Sequence, residues 1–419
     1  MPEPDGFREM NGATLPASGV ARDYSRLTRT LYTRESVERL TTLVVGAGAL
    51  GNEVIKNLAL IGVGHVVILD RDHIEASNLT RSVLFCTAGI ASHLANRTPK
   101  AVVAAERVRE LNPDVQATPH VGEVADCGLG IVRRSDVVFS CLDNEMARLE
   151  LSWACARLGR PLVDGGLGRT NSSSGMVSLF PGSDGPCYAC RKAPARRRQL
   201  LQELQGREDP CWLRERAQAE ADVVSTTPVM ASVIGALQVE VGLRHVLSPA
   251  DPTRGEARRV TLHPGFSAET SSFERSPACP LHEAASVITV VRERPERTST
   301  DWTPAALLDE YPGGAVLLLD WPVTARAACR ACGAVFEPWV RRARFRAATC
   351  PTCRGSDLAE QEVVTAIDPS SPWATRTFSA LGLPRAHIWE IASLAEAAAP
   401  RHHVELTGDL APRAAAGAQ

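Results

Sequence analysis

The chain has 419 residues, of which 44% are hydrophobic and 22% charged, and its net charge is -2 at pH 7. That composition is globular and excludes wholesale disorder, and at roughly 150 residues per domain it allows two or three domains with cores that need no disulfide staples. The near-neutral charge gives no bulk electrostatic case for nucleic acid or an acidic membrane, and no apolar run approaches the roughly 18 residues that a bilayer span needs.

Residues 1–20 are polar, contain Pro and Gly, and read as a disordered tail. They lack the basic and apolar regions of a signal peptide, so a cytoplasmic protein is expected. Residues 22–40 read as a helix. The segment 41–72 reads as a β-α-β unit, with strands at 42–45 and 65–69, a glycine turn at 46–51 and a helix at 52–61. A helix at 100–111, a strand at 136–141, a helix at 145–158 and a strand at 161–164 continue the alternation. This pattern predicts a doubly wound, Rossmann-like α/β sheet covered on both faces.

Residues 186–225 interrupt the rhythm with a C-x-x-C pair, the basic run RKAPARRRQ and a polar stretch. A long apolar-faced helix at 225–247 then resumes it. The charged region 286–305 reads as a linker. The expected organisation is a nucleotide-binding domain over 21–300 with an excursion at 186–225, a small α+β module over 301–400, and a flexible tail over 401–419. In the second module VLLLDW, EQEVVTAI and ALGLPRAHIWEI read as strands.

Gly46-Ala-Gly48-Ala-Leu-Gly51 follows a strand and opens a helix. Glycines there permit a tight turn and close approach of the backbone to phosphate, which the helix N-terminus also favours. Asp70 ends the next strand, where a ribose hydroxyl is usually accepted. By itself this describes a dinucleotide dehydrogenase. The residues that follow change the reading, because Asp72, Asn78 and Arg81 bring a second carboxylate, an amide and a guanidinium to the mouth of the same site. Hydride transfer needs none of these, whereas ATP with Mg²⁺ needs all three types. Lys100 opens a helix, and Asp143 ends the strand DVVFSCLD at the carboxyl edge of the sheet. Taken singly, each has a structural explanation, such as a cap for Asn78 or a surface pair for Arg81.

The stretches GAGALG, LDRDHIEASNLTR, TPK, SCLDN and STTPVMASVIGALQVE resemble the ubiquitin-activating-type (ThiF/MoeB/HesA-like) adenylating enzymes over about residues 24–285. The resemblance implies that Asp70 holds the ribose, that Asp72 and Asp143 serve Mg²⁺, and that Asn78, Arg81 and Lys100 hold the phosphates. DYSRLTR is similar to the family's opening RYSRQ, whose arginine reaches a partner subunit's ATP. This makes Arg26 the candidate and a homodimer the expectation. One departure stands at Ser82, where the family usually has Gln. The implied chemistry is attack by the C-terminal carboxylate of a small β-grasp protein on the α-phosphate of ATP.

Twelve cysteines in a chain with clustered C-x-x-C pairs suggest metal before disulfides. Cys187 and Cys190 pair with Cys279 and His282 as four N/S donors for a structural zinc, and the family carries C-x-x-C twice at these places. Cys329, Cys332, Cys350 and Cys353 have zinc-ribbon spacing and suggest a second zinc. Arg341, Arg342, Arg344 and Arg346 lie between those pairs. A solvated or protein-docking face is expected of them more than a nucleic-acid contact. Cys86, Cys127, Cys141 and Cys155 read as bland core or surface thiols.

Cys211 lies in the excursion where family members keep their catalytic cysteine, with Arg207, Arg214 and Arg216 close in sequence. It is either a thioester nucleophile or an incidental loop thiol. Only Lys56, Lys100 and Lys192 are lysines. A GC-rich genome explains this, and so does avoidance of amine acceptors near an activated acyl group.

The leading expectation is an ATP-dependent activator of a ubiquitin-like protein. It would form a thioester on Cys211 and pass the modifier to a conjugating enzyme. The alternative is a sulfur-carrier adenylyltransferase without obligatory thioester chemistry. A non-catalytic scaffold or nucleic-acid-binding protein and a dehydrogenase are the rivals from other classes.

Overall fold

Five strands form the parallel centre of one sheet: β1 (Thr41–Val45), β2 (His65–Asp70), β3 (Gln116–Val121), β4 (Val137–Ser140) and β5 (Leu162–Leu167). Antiparallel β6 (Ser174–Phe180), β7 (Arg254–Thr261) and β8 (Ser267–Glu274) extend it, giving the order β3-β2-β1-β4-β5-β6-β7-β8. The helices around it include α1 (Arg34–Val37), α2 (Ala49–Ile61), α3 (Ile90–Ala95), α4 (Lys100–Leu111), α5 (Leu129–Arg133), α6 (Glu145–Arg157), α7 (Pro194–Leu204) and α8 (Pro228–Leu247). This computed structural model describes residues 22–27, 30–87, 89–168, 173–182, 184–204, 227–248, 254–284, 287–311, 313–345, 347–394 and 401–409.

Successive residues of a strand point to opposite faces, so these strands feed two cores. Val44, Ile68, Phe139 and Val163 pack with Val54 and Leu58 of α2, Val103 and Val108 of α4, and Ile234 and Leu243 of α8. Leu43, Val45, Leu69, Val138 and Leu162 pack on the other side with Leu129 and Val132 of α5, Leu149 and Trp153 of α6, and Leu200 of α7. From β1 the chain builds outward to β2 and β3, then returns to β4 and β5 on the other side of β1. That reversal opens a crevice at the carboxyl ends of β1 and β4, the usual ligand position in such sheets.

A second sheet is built on the fifteen-residue strand β10 (Ala315–Cys329), with β9 (Arg292–Arg294) preceding it in the chain. β11 (Val335–Phe336), β12 (Val340–Arg341), β13 (Leu358–Ile367) and β14 (Ile388–Ser393) all pair antiparallel with β10. β15 (His402–Leu406) pairs antiparallel with β14 and parallel with β9. Its core holds Trp302, Leu317, Ile367, Trp373, Phe378, Trp389 and Ile391.

Several expectations from the sequence need correction. The helix expected over 22–40 is only a 3₁₀ turn at Ser25–Leu27 and the four-residue α1. The second sheet takes β9 from the supposed linker and β15 from the supposed C-terminal tail, because Val404 and Leu406 are buried in its core. The strand expected from residue 380 begins only at Ile388, after Gly382 at φ 62° and Pro384 have turned the chain. By length and composition α8 is apolar enough to cross a bilayer, contrary to the sequence reading, but half of it is buried in the sheet's core.

Buried charges join the two sheets. Arg157 of α6, 2% exposed, bonds Asp320 of β10 at 2.5 Å and Glu390 of β14 at 2.6 Å. His387 adds a contact to Asp320 at 3.0 Å. Glu405, fully buried on β15, takes Arg134 and, at 3.1 Å, Arg133, both at the end of α5. The Gly130 amide donates to the Ala386 carbonyl at 2.9 Å. Each buried charge has an opposite partner, which offsets the cost of removing it from water.

Candidate active site

The glycine loop joins β1 to α2. Gly46 has φ 95°, and a Cβ on Gly51 would stand 1.8 Å from the Gly46 carbonyl oxygen. Both positions therefore exclude side chains. Gly48, the N-cap of α2, faces open space, with nothing within 4 Å of where its Cβ would stand. That space lies over a helix N-terminus whose amides and dipole favour an anion.

Asp70, at the end of β2, accepts the Ala47 amide at 2.6 Å and the Asp72 amide at 2.7 Å. Burial pushes its carboxyl up from the usual range, while those two amides and the Lys100 charge pull it back. Lys100, the first residue of α4, reaches Asp72 at 3.0 Å, and its amide donates to the Asp72 carbonyl. Asp143 follows β4 and is exposed. Its charge acts on Arg71, which also bonds Glu123 at 3.0 Å and lies 3.6 Å from Asp72. The structure thus brings Gly46, Gly48, Gly51, Asp70, Asp72, Lys100 and Asp143 to one crevice.

Asn78 is buried, and its carboxamide oxygen accepts the Glu75 amide at 3.0 Å within a capping box. That oxygen is committed to the local turn, and the carboxamide N–H groups have no partner among the described residues. The Arg81 guanidinium has no ion pair or hydrogen bond among the described residues. The Ser82 hydroxyl is buried and unpartnered among them.

Arg26 sits elsewhere. Its neighbour Tyr24 packs on Gly62, at the far end of α2 from the glycine loop. A thirteen-residue helix is about 20 Å long, so Arg26 is not brought to its own chain's crevice. Cys211, Arg207, Arg214, Arg216 and Arg346 lie outside the described residues.

Four positioning residues went unread in the sequence. Asn52, fully buried, donates to the Ala47 and Gly48 carbonyls at 2.7 and 3.1 Å and accepts the Leu84 amide at 2.8 Å. Asp164 accepts from Ser140 at 2.7 Å and from Arg148 at 2.8 Å. Arg148 also donates to the Leu142 carbonyl at 3.0 Å, holding the loop that carries Asp143. Gln238 of α8 donates to the Ser140 and Val163 carbonyls. The available signal was a polar residue at an apolar position of a core helix or strand.

Two donor clusters stand apart from the crevice. Cys187, Cys190, Cys279 and His282 have ligand atoms within 4.8 Å of one another, and so do Cys329, Cys332, Cys350 and Cys353. The His282 Nε2 is buried without a hydrogen-bond partner among the described residues. Four N/S donors at that spacing fit a tetrahedral metal such as zinc. The arginines between the second set of cysteines turn inward: Arg341 to Glu150 at 3.0 Å, Arg342 to Glu360 at 2.9 Å, and Arg344 to Glu123 at 2.5 Å.

The ThiF family model matches residues 24–281. A sulfur carrier protein adenylyltransferase of Thermus thermophilus is 31% identical over 258 residues, covering 59% of this chain and 84% of that protein. The sulfur carrier protein ThiS adenylyltransferase of Escherichia coli is 32% identical, covering 57% and 84%. The SAMP-activating enzyme E1 of Haloferax volcanii is 41% identical over 149 residues, 35% of this chain, and the chain spans only about half of that relative, 52%.

Elemental analysis should find two zinc ions per chain. Cys350→Ser should lose one of them and loosen only the second module, since each cluster closes within its own sheet's surroundings. A wild-type content of one zinc or none would remove at least one cluster from the metal sites.

Proposed function

We propose, for a chain that belongs to the ThiF family, that its adenylyltransferase activity is directed at the C-terminal carboxylate of a small ubiquitin-like, β-grasp protein, with ATP as co-substrate. The observation that carries this reading is the meeting of a pinned glycine loop with the Asp72–Lys100 pair and the exposed Asp143 at one crevice. A dehydrogenase has no use for the second and third of these.

The open space at Gly48 and the amides of the α2 N-terminus receive phosphate. Asp70 keeps lone pairs for a ribose hydroxyl after taking its two amides. Lys100, Arg81 and the Asn78 carboxamide N–H groups neutralise and orient the triphosphate. Asp72 and Asp143 are the carboxylates placed to hold Mg²⁺, which would spread charge from the phosphates. A carboxylate oxygen of the protein substrate attacks the α-phosphorus, pyrophosphate leaves, and an acyl-adenylate forms. The work of the chain is positioning and charge neutralisation. Arg26, remote from its own crevice, serves the site of a second copy in a homodimer. The two donor clusters hold structural zinc.

The Cys211 thiolate then attacks the acyl carbon of the adenylate, the bond to phosphate breaks, AMP leaves, and the thioester is held for a conjugating enzyme. Of the cysteines outside the two clusters, Cys127 is pushed up to about 12 by burial, and burial raises Cys141 and Cys155 further. Those three are held as thiols, which are poor nucleophiles. The second reading, sulfur-carrier activation without that thioester, is favoured by two relatives that the chain matches over 84% of their length, both sulfur carrier protein adenylyltransferases by name.

With its cognate β-grasp protein the enzyme should exchange labelled pyrophosphate into ATP, and Asp143→Ala should lower the rate by about 10²-fold or more. Undiminished exchange would mean that the metal is held elsewhere. Incubation with ATP and the modifier should also give an adduct that thiols cleave. Cys211→Ser should block that adduct and leave exchange intact. If adenylate accumulates and the wild type never forms the adduct, the sulfur-carrier reading holds instead.

A further inference from the structure

Four ion pairs run unbroken from the nucleotide crevice into the second sheet's module. Lys100 Nζ lies 3.0 Å from Asp72 Oδ2, and Arg71 Nε lies 3.6 Å from Asp72 Oδ1. Arg71 Nη1 lies 3.0 Å from Glu123 Oε1, and Arg344 Nη2 lies 2.5 Å from Glu123 Oε2. Arg344 stands on the short helix Arg342–Phe345, between the cysteine pairs of the four-thiol cluster. Its other partner, Asp126 at 3.3 Å, lies on the same loop after β3 as Glu123. The two modules therefore share a carboxylate, one oxygen for each.

Arg71 is the sensitive link. Burial works against its charge, but Glu123, Asp72 and Asp143 outweigh that. Two of those three carboxylates are the ones assigned above to Mg²⁺. A guanidinium free to turn toward them would neutralise the pair and compete with the cation. Among the described residues Glu123 draws Arg71 the other way. The Glu123 side chain is 37% exposed and would rotate if held at one point, so its second oxygen needs an anchor. Arg344 is that anchor, and a forked guanidinium suits the task because it takes Glu123 and Asp126 together.

We propose that Arg344 is a positioning residue of the nucleotide site. Acting through Glu123, it keeps Arg71 to its 3.6 Å contact with Asp72 and from closing further on Asp72 and Asp143, and so the second module sets how readily that carboxylate pair takes up a divalent cation with the triphosphate. This rests on the adenylation reading and adds to it a role for residues beyond the part of the chain that the family model matches.

The test is calorimetric titration of the full chain with ATP at a series of Mg²⁺ concentrations. Arg344→Ala and Glu123→Gln should each raise the half-saturating Mg²⁺ about two- to fivefold, the size of an exposed charge coupling. Arg344→Lys should recover part of the loss. Arg342→Ala removes the same charge from the same helix but pairs with Glu360 instead, and should keep the wild-type requirement. In an Arg71→Ala chain, adding Arg344→Ala should change nothing further. A wild-type Mg²⁺ requirement in Arg344→Ala overturns the proposal. A shift that persists undiminished without Arg71 also overturns it, and leaves Arg344 a docking role alone. If the wild type shows no Mg²⁺-dependent ATP binding, the adenylation reading itself falls and takes this inference with it.

Discussion

The Asp70 carboxylate takes the Ala47 amide on one oxygen and the Asp72 amide on the other, at 2.6 and 2.7 Å, and so ties the glycine loop after β1 to the acidic loop after β2. The two loops are then one unit, and Gly48, Asp72 and Lys100 inherit their positions from it. Asn52 closes the same unit from below, gripping two carbonyls of the glycine loop and the Leu84 amide. The arrangement is possible only because Gly51 lacks a Cβ, which would stand 1.8 Å from the Gly46 carbonyl oxygen. Close packing of backbone on backbone leaves the α2 N-terminus open toward solvent, and in the proposed adenylation that opening would receive a phosphate.

The β4 side of the crevice is held differently, by buried polar side chains rather than by glycine. Arg148 links Asp164 to the Leu142 carbonyl, and Gln238 links the ends of β4 and β5. The second module then presses on the helices of this same side. Its contacts with α5 and α6 combine the Trp153–Trp321 ring contact with ion pairs among Arg157, Glu390 and Glu405, which are buried, and Asp320, which is half-buried. Such pairs discriminate between arrangements more than they add stability, because breaking one leaves an uncompensated buried charge. They fix one docking geometry, and that geometry brings Arg344 to Glu123.

The sheet domain was legible in the sequence because its signals are local. The helix at 100–111 coincides with α4, and the glycine turn falls where β1 meets α2. The nearness of Asp70, Asp72 and Asp143 to one crevice was legible as well, since each stands within a few residues of a strand's end. What was not legible depends on distant partners. Gln238 looks like a polar interruption of an apolar helix until its acceptor Ser140, 98 residues away, is known, and Asn52 does until the Leu84 amide, 32 residues away, is known to donate to it. β15 could not be told from a tail, because its pairing with β14 and β9 is what makes a strand of it. The arginines 341, 342 and 344 read as an outward basic face, yet each meets a carboxylate of this chain, and two of those carboxylates belong to the other sheet's domain. Asn78 shows the opposite case, where the plain alternative of a cap is what its oxygen does.

Equilibrium dialysis of the full chain against labelled ATP with Mg²⁺, and separately against labelled NAD, tests most directly whether the crevice between β1 and β4 is a triphosphate site. Saturable ATP binding that is lost on removing Mg²⁺, with no retention of NAD, is the predicted result. Saturable NAD binding with none of ATP would contradict it, and would leave the glycine loop and Asp70 as parts of a dinucleotide site.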